Sequence, residues 1–532
     1  MTSIGTPYRR FEPAGSYDAI VIGSGIGGLA AAALLAKHAR KRVLVLEQHY
    51  TAGGFTHTFH RNGFEWDVGV HYIGDVGHPK APMRVVLDDI AAEPIEWASM
   101  GEVYDRIVLG DEVYDFAAGR ENFVERLAAR FPGERAAIER YLDRVAEAQR
   151  AGMLYFAERA IPAPAAALVG GLMRRKLERL AARTTREVLE EITSNQKLIS
   201  VLTGQFGDYG LPPARSSFAI HAMVAGHYLR GGFFPVGGAS RFAAAIVPTI
   251  EQRGGAVVVR AVVERILVEG GRAAGVRLED GRELRAPVIV SDAGAHNTFG
   301  RLLGAEVPAR EREAIAGLTR SVGHMCLYLG LDRTAEELEL PKANLWLYPD
   351  EHHERNVDAF VADPEAPFPV VYVSFPAAKD PSFTQRHPGR STIDVITLAP
   401  YAWFERWRDS RWHHRGDEYE ALKQRFTERL LTQLYRWVPQ AEGHVIHGEL
   451  STPLTTQHFA AWERGELYGL DHDPRRFQER RLRPRTSVPG LYLTGQDVCS
   501  AGVGGALMGG VLCASALTNK NMLSVAQRAL GR

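Results

Sequence analysis

The first hydrophobic segment of this chain is a short unbroken run, Ala19 to Ile22, that stops on Gly23. A continuous apolar run of that length predicts a strand buried on both faces. Leu29 to Ala39 has the alanine- and leucine-rich composition of a helix, and Val43 to Leu46 is a second apolar run closing on Glu47. Strand, tight turn, helix and strand make one βαβ unit. At the turn, Gly23, Gly25 and Gly28 have the spacing G-x-G-x-x-G. Gly23 lets the chain turn sharply, Gly25 lets backbone approach a pyrophosphate, and Gly28 lets helix and strand pack closely. The helix N-terminus turns unpaired N–H groups and a positive dipole end toward the phosphates. Glu47 follows Gly28 by 19 residues, where a carboxylate accepts ribose hydroxyls and repels a 2′-phosphate. The stretch predicts a dinucleotide site, and one that disfavours NADP.

Ala19 to Ala36 carries no charge over 18 residues, long enough to resemble a membrane span. Four glycines at fingerprint spacing favour a buried strand and helix instead. After Glu47, Gly53 and Gly54 allow a second close approach of backbone to a cofactor, and a strand-rich excursion follows through Asp67, Gly69, His71 and Tyr72. A nicotinamide dehydrogenase would continue with more strand–helix repeats. The glycine pair and the excursion match flavoproteins of the glutathione-reductase type, so the expected cofactor is FAD. His57, His60, His71 and His78 lack the spacing of metal ligands, and no metal is expected.

Farther on, Asn122 to Gln149 has helical periodicity and dense charge, which predicts one or two solvated helices. Ile161 to Arg183 begins apolar and ends basic, with Arg174, Arg175, Lys176, Arg179 and Arg183. Two readings stand: a segment that dips into a membrane surface, or a lid helix over an apolar pocket. Pro162, Pro164 and a glycine pair weaken a continuous amphipathic helix. Asp208, Tyr209, His221, His227 and Tyr228 are polar groups in an apolar setting, each open to a purely structural hydrogen-bonding role. From Phe233 the chain returns toward the nucleotide fold, with hairpin turns at Gly270–Gly271 and Asp280–Gly281 and strands expected to complete the nucleotide sheet. Val262 or Val263 is placed near the adenine. Trp403 and Trp407 stand four apart, which predicts an amphipathic helix and not a nucleic-acid patch. Near the C-terminus Leu491 to Thr494 reads as a strand, Gly495–Gln496–Asp497 as a turn, and Val503 or Gly504 as the start of a helix. Asp497 is placed to hold ribityl or phosphate-adjacent groups, and that helix end to stabilise reduced flavin.

Composition narrows the class. The 532 residues need more than one core, and Lys plus Arg equals Asp plus Glu at 63 each, so no global field recruits nucleic acid. Three cysteines, Cys326, Cys499 and Cys513, form neither a disulfide framework nor a metal motif. With no apolar signal core at the N-terminus, a cytoplasmic enzyme is expected.

The strings GGFTHTF…GFEWDVGVHYIG, GDYGLPPARSSFAIHA, FFPVGGAS, SDAG and LYLTGQDVCSAGVGGALMGG span nearly the whole chain. On them it resembles the phytoene desaturase, carotenoid isomerase and retinol saturase group of flavoproteins. The two ends are shared widely with other flavin enzymes, and HTF…HYIG and GDYG…PP…SSF are much more specific to the saturase branch. The resemblance implies an α/β, FAD-binding Rossmann-like fold of the glutathione-reductase type with a discontinuous mixed α+β substrate domain. It also implies a tunnel for a long apolar polyene and peripheral membrane contact. The expected segments are 1–78, 235–300 and 441–532 for FAD, and 79–234 and 301–440 for substrate, with 161–183 as the membrane-contacting stretch. Carotenoid, apocarotenoid, unsaturated fatty acyl chain and retinol all remain open as substrate, as do saturation, desaturation and cis–trans isomerisation. So does a flavin-free lipid carrier, which the intact glycines, Glu47 and Gly495–Asp497 oppose. An unactivated alkene accepts hydride poorly, so saturation needs an acid in a dry pocket. Tyr72, His71, Asp208 and Tyr209 are the candidates, in that order. With no second nucleotide fingerprint, NAD(P)H visiting the flavin face or another reductant supplies the electrons.

Overall fold

The computed structural model describes residues 3–13, 15–304 and 308–532. Residues 1, 2, 14 and 305–307 of the expected segments lie outside the described residues. A six-stranded parallel sheet organises the nucleotide-binding half, in the order Thr6–Pro7, Ala256–Val259, Val43–Glu47, Ala19–Ile22, Ile289–Ser291 and Leu491–Leu493. Its strands come from three distant parts of the chain. The four central and C-terminal strands Val43–Glu47, Ala19–Ile22, Ile289–Ser291 and Leu491–Leu493 pair as apolar runs with almost no wet face to offer.

Helix Ile26–Ala39 covers this sheet and is apolar on every side, with residues 26–36 all buried. Gly502–Thr518, equally apolar, packs along it. A Cβ on Gly510 would stand 2.5 Å from the Gly27 carbonyl oxygen, so the two backbones approach where side chains are missing. Each leucine buried there contributes about 1.5–3 kcal/mol. No single helix among the described residues is long and apolar enough to cross a membrane.

The other half is built on a seven-stranded sheet in the order Val445–Leu450, Gly323–Leu331, Ser391–Ala399, Val371–Ser374, Asn344–Tyr348, Val103–Leu109 and Glu112–Ala117. Helices Arg135–Ala160, Ala163–Ala181 and Phe218–Tyr228 pack together beside it.

Three expectations change. The strands Val263–Glu269, Arg272–Leu278 and Glu283–Arg285 form a separate antiparallel sheet and do not extend the nucleotide sheet. Their hairpin turns force antiparallel pairing, and their alternating exposure leaves one face wet. Residues 163–181 form one continuous helix: Pro162 and Pro164 fall at its start, where the N–H groups have no helical partner to lose. Trp403 and Trp407 sit on two short 3₁₀ turns, Tyr401–Trp403 and Glu405–Trp407, instead of an α-helix. Trp403 stacks on Phe426 and Trp407 meets Tyr419 edge-on, so separate aromatic anchors pull the segment out of helical register.

Candidate functional site

A cavity of about 360 Å³ opens between the two halves, a size common for ligand sites. One arm follows the nucleotide fold. Gly23, Gly25, Glu47, Gly53, Gly54, Val263, Gly495, Asp497 and Val503 all line it. Gly54 comes so close to the fingerprint turn that a Cβ there would lie 2.9 Å from the Gly25 Cα. Gly28 faces away from the cavity, and a Cβ on it would overlap the Gly23 carbonyl oxygen; it serves strand–helix packing. Gly504 also points elsewhere, toward Met83, so the helix that opens at Gly502 presents Gly502 and Val503 to the cavity instead.

Hydrogen bonds hold both carboxylates of this arm. Glu47 accepts the Ser24 N–H at 2.8 Å, the Ser24 hydroxyl at 2.7 Å and the His49 N–H at 2.8 Å. Asp497 accepts the Ala295 N–H at 2.7 Å and the Leu470 N–H at 3.2 Å. His49 and His57 beside them stay neutral, each pushed down to about 4 by burial. Phosphates in the fingerprint turn would therefore meet backbone N–H groups and a helix dipole. A side-chain-free cradle, an anchored ribose acid and two inward helix N-termini fit a flavin dinucleotide.

The second arm is apolar, walled by Phe59, Tyr328, Trp346, Val370, Tyr372 and Leu398, and is met by His71 and Asp208. Asp208 follows the helix Gln196–Leu202 on a short 3₁₀ turn, Phe206–Asp208. Burial pushes its carboxyl well above the usual carboxylate range, and the charge of Asp105 adds to the rise. The Tyr72 hydroxyl stands 2.8 Å from Asp105 Oδ2 and 3.1 Å from Asp208 Oδ2. A phenol has one proton and cannot satisfy two carboxylates, so the triad must hold a second. Asp105 accepts Gln205 Nε2 and Asn344 Nδ2, both at 2.8 Å, donors that stabilise it as the anion. Burial raises both carboxyls, but Asp105 has three side-chain donors set against the rise and Asp208 only Tyr72, which favours the extra proton on Asp208, the member that lines the cavity.

Beneath the triad lies Lys379, whose Nζ donates to the His71 carbonyl, Ser374 Oγ and Asn344 Oδ1. Three acceptors match the three protons of an ammonium ion, although burial pulls its pKa down to about 7. His71 Nδ1 lies 3.4 Å from Asp394 Oδ2. His324 lines the same cavity and is neutral, pushed down to about 4 by burial.

The four acid candidates separate. Asp208 and His71 reach the cavity. Tyr72 stands behind Asp208 and stacks on Tyr228 at 4.0 Å, so it positions the acid from outside the cavity lining. Tyr209 is fully buried with its hydroxyl 3.2 Å from His221 Nδ1, so it belongs to the core. Asp105, Lys379 and Asp394 escaped the sequence reading. Two of them carried a usable signal, as single acids inside the apolar strands VYDRIVL and STIDVITLA.

Replacing Tyr72 with Phe removes the proton shared between the acids. We expect turnover to fall about tenfold, the alkaline limb of its pH profile to move and flavin content to stay whole. An unchanged pH profile would remove Tyr72 from the proton path.

The chain is similar to known proteins over most of its length. The flavin containing amine oxidoreductase family matches residues 26–518. An all-trans-retinol 13,14-reductase of Danio rerio is 38% identical over 531 residues, covering 95% of this chain and 86% of that protein. Prolycopene isomerase 2 of an Oncidium hybrid is 27% identical, covering 97% and 86%. Among solved structures, an oxidoreductase from Methanosarcina mazei superimposes with a TM-score of 0.62 at 18% identity, covering 94% of this chain and all of that one.

Proposed function

The chain belongs to the flavin-containing amine oxidoreductase family, and from that premise we propose that it saturates one carbon–carbon double bond of a long apolar polyene. The named reaction of the retinol reductase relatives supports this reading, and the observation that carries it is the buried Asp208, 3.1 Å from the Tyr72 hydroxyl, at the foot of an apolar arm. The substrate class is a retinoid, a carotenoid or an unsaturated fatty acyl chain.

FAD held by the glycine turns, Glu47 and Asp497 would, when reduced, supply a hydride to one alkene carbon. Asp208 supplies the proton to the other. The carboxylate left behind accepts the Tyr72 O–H, which stabilises the charge formed on the enzyme during the step. The aromatic wall keeps water from the developing cation, and Lys379 fixes the His71 backbone and Asn344 and so the register of the triad. NAD(P)H or another reductant would supply the electrons.

Anaerobic reduction with dithionite, followed by a panel of polyenes, tests the reaction. Flavin bands that recover as one substrate double bond disappears establish saturation. Substrate that changes geometry under a flavin that stays reduced makes the chain an isomerase, the reaction named for its more distant relatives. Oxidised flavin that bleaches on adding polyene reverses the direction to desaturation. A purified protein that binds no flavin overturns the enzyme reading. Repeating the reduction with NADH and NADPH identifies the donor.

We further place the reaction at a lipid surface in the cytoplasm. Leu168 is 87% and Leu172 80% exposed on helix Ala163–Ala181, next to Met153 at 65% on the neighbouring helix. The same helix exposes Arg175, Lys176 and Arg179, suited to lipid phosphates. Burying one leucine contributes about 1.5–3 kcal/mol, so Leu168→Glu with Leu172→Glu is expected to weaken binding to anionic vesicles by about 100-fold or more. Flotation of both proteins checks it, and equal flotation would exclude this face.

A further inference from the structure

Asp292 follows the strand Ile289–Ser291, and its carboxyl enters the turn built by the fingerprint glycines. The fit around it is tight. A Cβ on Gly25 would lie 2.6 Å from Oδ2, and one on Gly27 2.8 Å from Oδ1. Gly495 crowds the same oxygen from the opposite turn. The Asp292 N–H is tied to the Ile22 carbonyl at 2.8 Å, so the residue has little freedom to withdraw.

Its surroundings are acidic. The titratable groups facing it are Glu47 on the neighbouring strand, Asp497 on the turn after Leu491–Leu493, and the Cys513 thiol on helix Gly502–Thr518. The Gly28 N–H donates to it from the first turn of helix Ile26–Ala39. A diphosphate placed in this turn adds negative charge to an already acidic pocket. An ionised Asp292 would oppose it, whereas a neutral carboxyl offers a donor.

We propose that Asp292 binds the flavin diphosphate as a neutral carboxylic acid, donating its O–H to a phosphate oxygen, so that cofactor retention is linked to one proton on this residue. The inference rests on the flavin reading of the cavity.

Burial already pushes the free carboxyl up to about 8, with Glu47 and Asp497 adding to the rise against the Gly28 N–H. Phosphate charge nearby raises it further. A group whose pKa rises on binding takes up a proton above its free value. Affinity for FAD is therefore constant below about pH 8 and falls above it, by up to about tenfold per pH unit.

The test uses the holoenzyme diluted in series between about pH 6.5 and pH 10 at constant ionic strength, with fluorescence reporting released FAD. The wild type is expected to hold flavin evenly to near pH 8 and then release it progressively. Asp292→Asn keeps the shape and a donor but has no proton to lose, so its profile is expected to be flat. A flat wild-type profile overturns the proposal, and so does a variant that retains the wild-type rise. Where the variant fails to fold, calorimetry of FAD binding to the wild type near pH 9, in two buffers of different ionisation enthalpy, decides. Uptake of about one proton supports the linkage and zero uptake overturns it. A protein that takes up no FAD at any pH overturns the flavin reading and this inference with it.

Discussion

Asp208→Asn is expected to lower turnover of a polyene by about 10²–10⁴-fold, the range for loss of a positioned general acid, while leaving the flavin spectrum intact. The amide has the shape of the carboxyl and still bonds Tyr72, but it has no acidic proton to give. The wild type loses activity as pH rises through the Asp208 pKa, because only the protonated form works and burial sets that pKa well above the ordinary carboxylate value. The variant lacks this alkaline limb. His71→Gln is the control, since His71 is the other candidate that reaches the cavity. If Asp208→Asn turns over normally and His71→Gln does not, the acid is His71. Single-turnover reoxidation of reduced flavin by substrate separates the chemical step from substrate binding.

Gly28→Ala is expected to yield protein that loses its flavin on desalting. The added methyl would overlap the Gly23 carbonyl oxygen, a backbone atom with nowhere to move, since the Gly23 N–H is bonded to the Leu46 carbonyl at 2.8 Å. Relieving the overlap lifts the helix N-terminus off the strand. Overpacking of this kind costs about 1–3 kcal/mol, which weakens FAD binding about 5- to 150-fold if it falls on the bound state. Gly300→Ala is the matched control, because a Cβ there meets nothing within 4 Å. Flavin absorbance against protein absorbance after gel filtration reads both variants. Full retention by Gly28→Ala would mean that the turn adjusts, and that the glycine is not needed for packing.

Much of the site was legible along the chain. The turn glycines, Glu47 and the Gly495–Asp497 turn announced themselves because dinucleotide binding needs bare backbone at fixed spacing from a strand end. His71 stood out by its place beside the Asp67–Gly69 turn, and Asp208 as a polar residue in apolar surroundings. The order of the acid candidates was not legible. Tyr72 and Tyr209 are both deeply buried, and only the packing shows one behind Asp208 and the other bonded to His221. Asp105 showed only as a lone acid inside an apolar strand, and Lys379 gave no signal at all. The significance of both comes from a meeting of segments far apart in the chain.

Local chemistry along the chain determined the βαβ unit, the nucleotide turn and the flavoprotein class, because hydrophobic period and glycine spacing act over a few residues at a time. Tertiary structure decided the rest. It separated the hairpin strands from the nucleotide sheet, straightened residues 163–181 into one helix and broke the Trp403 segment into turns. It also set the surroundings of the buried acids. Which of several buried acids stays neutral depends on the charges and donors brought against it from other parts of the chain, and those neighbours exist only in the folded molecule.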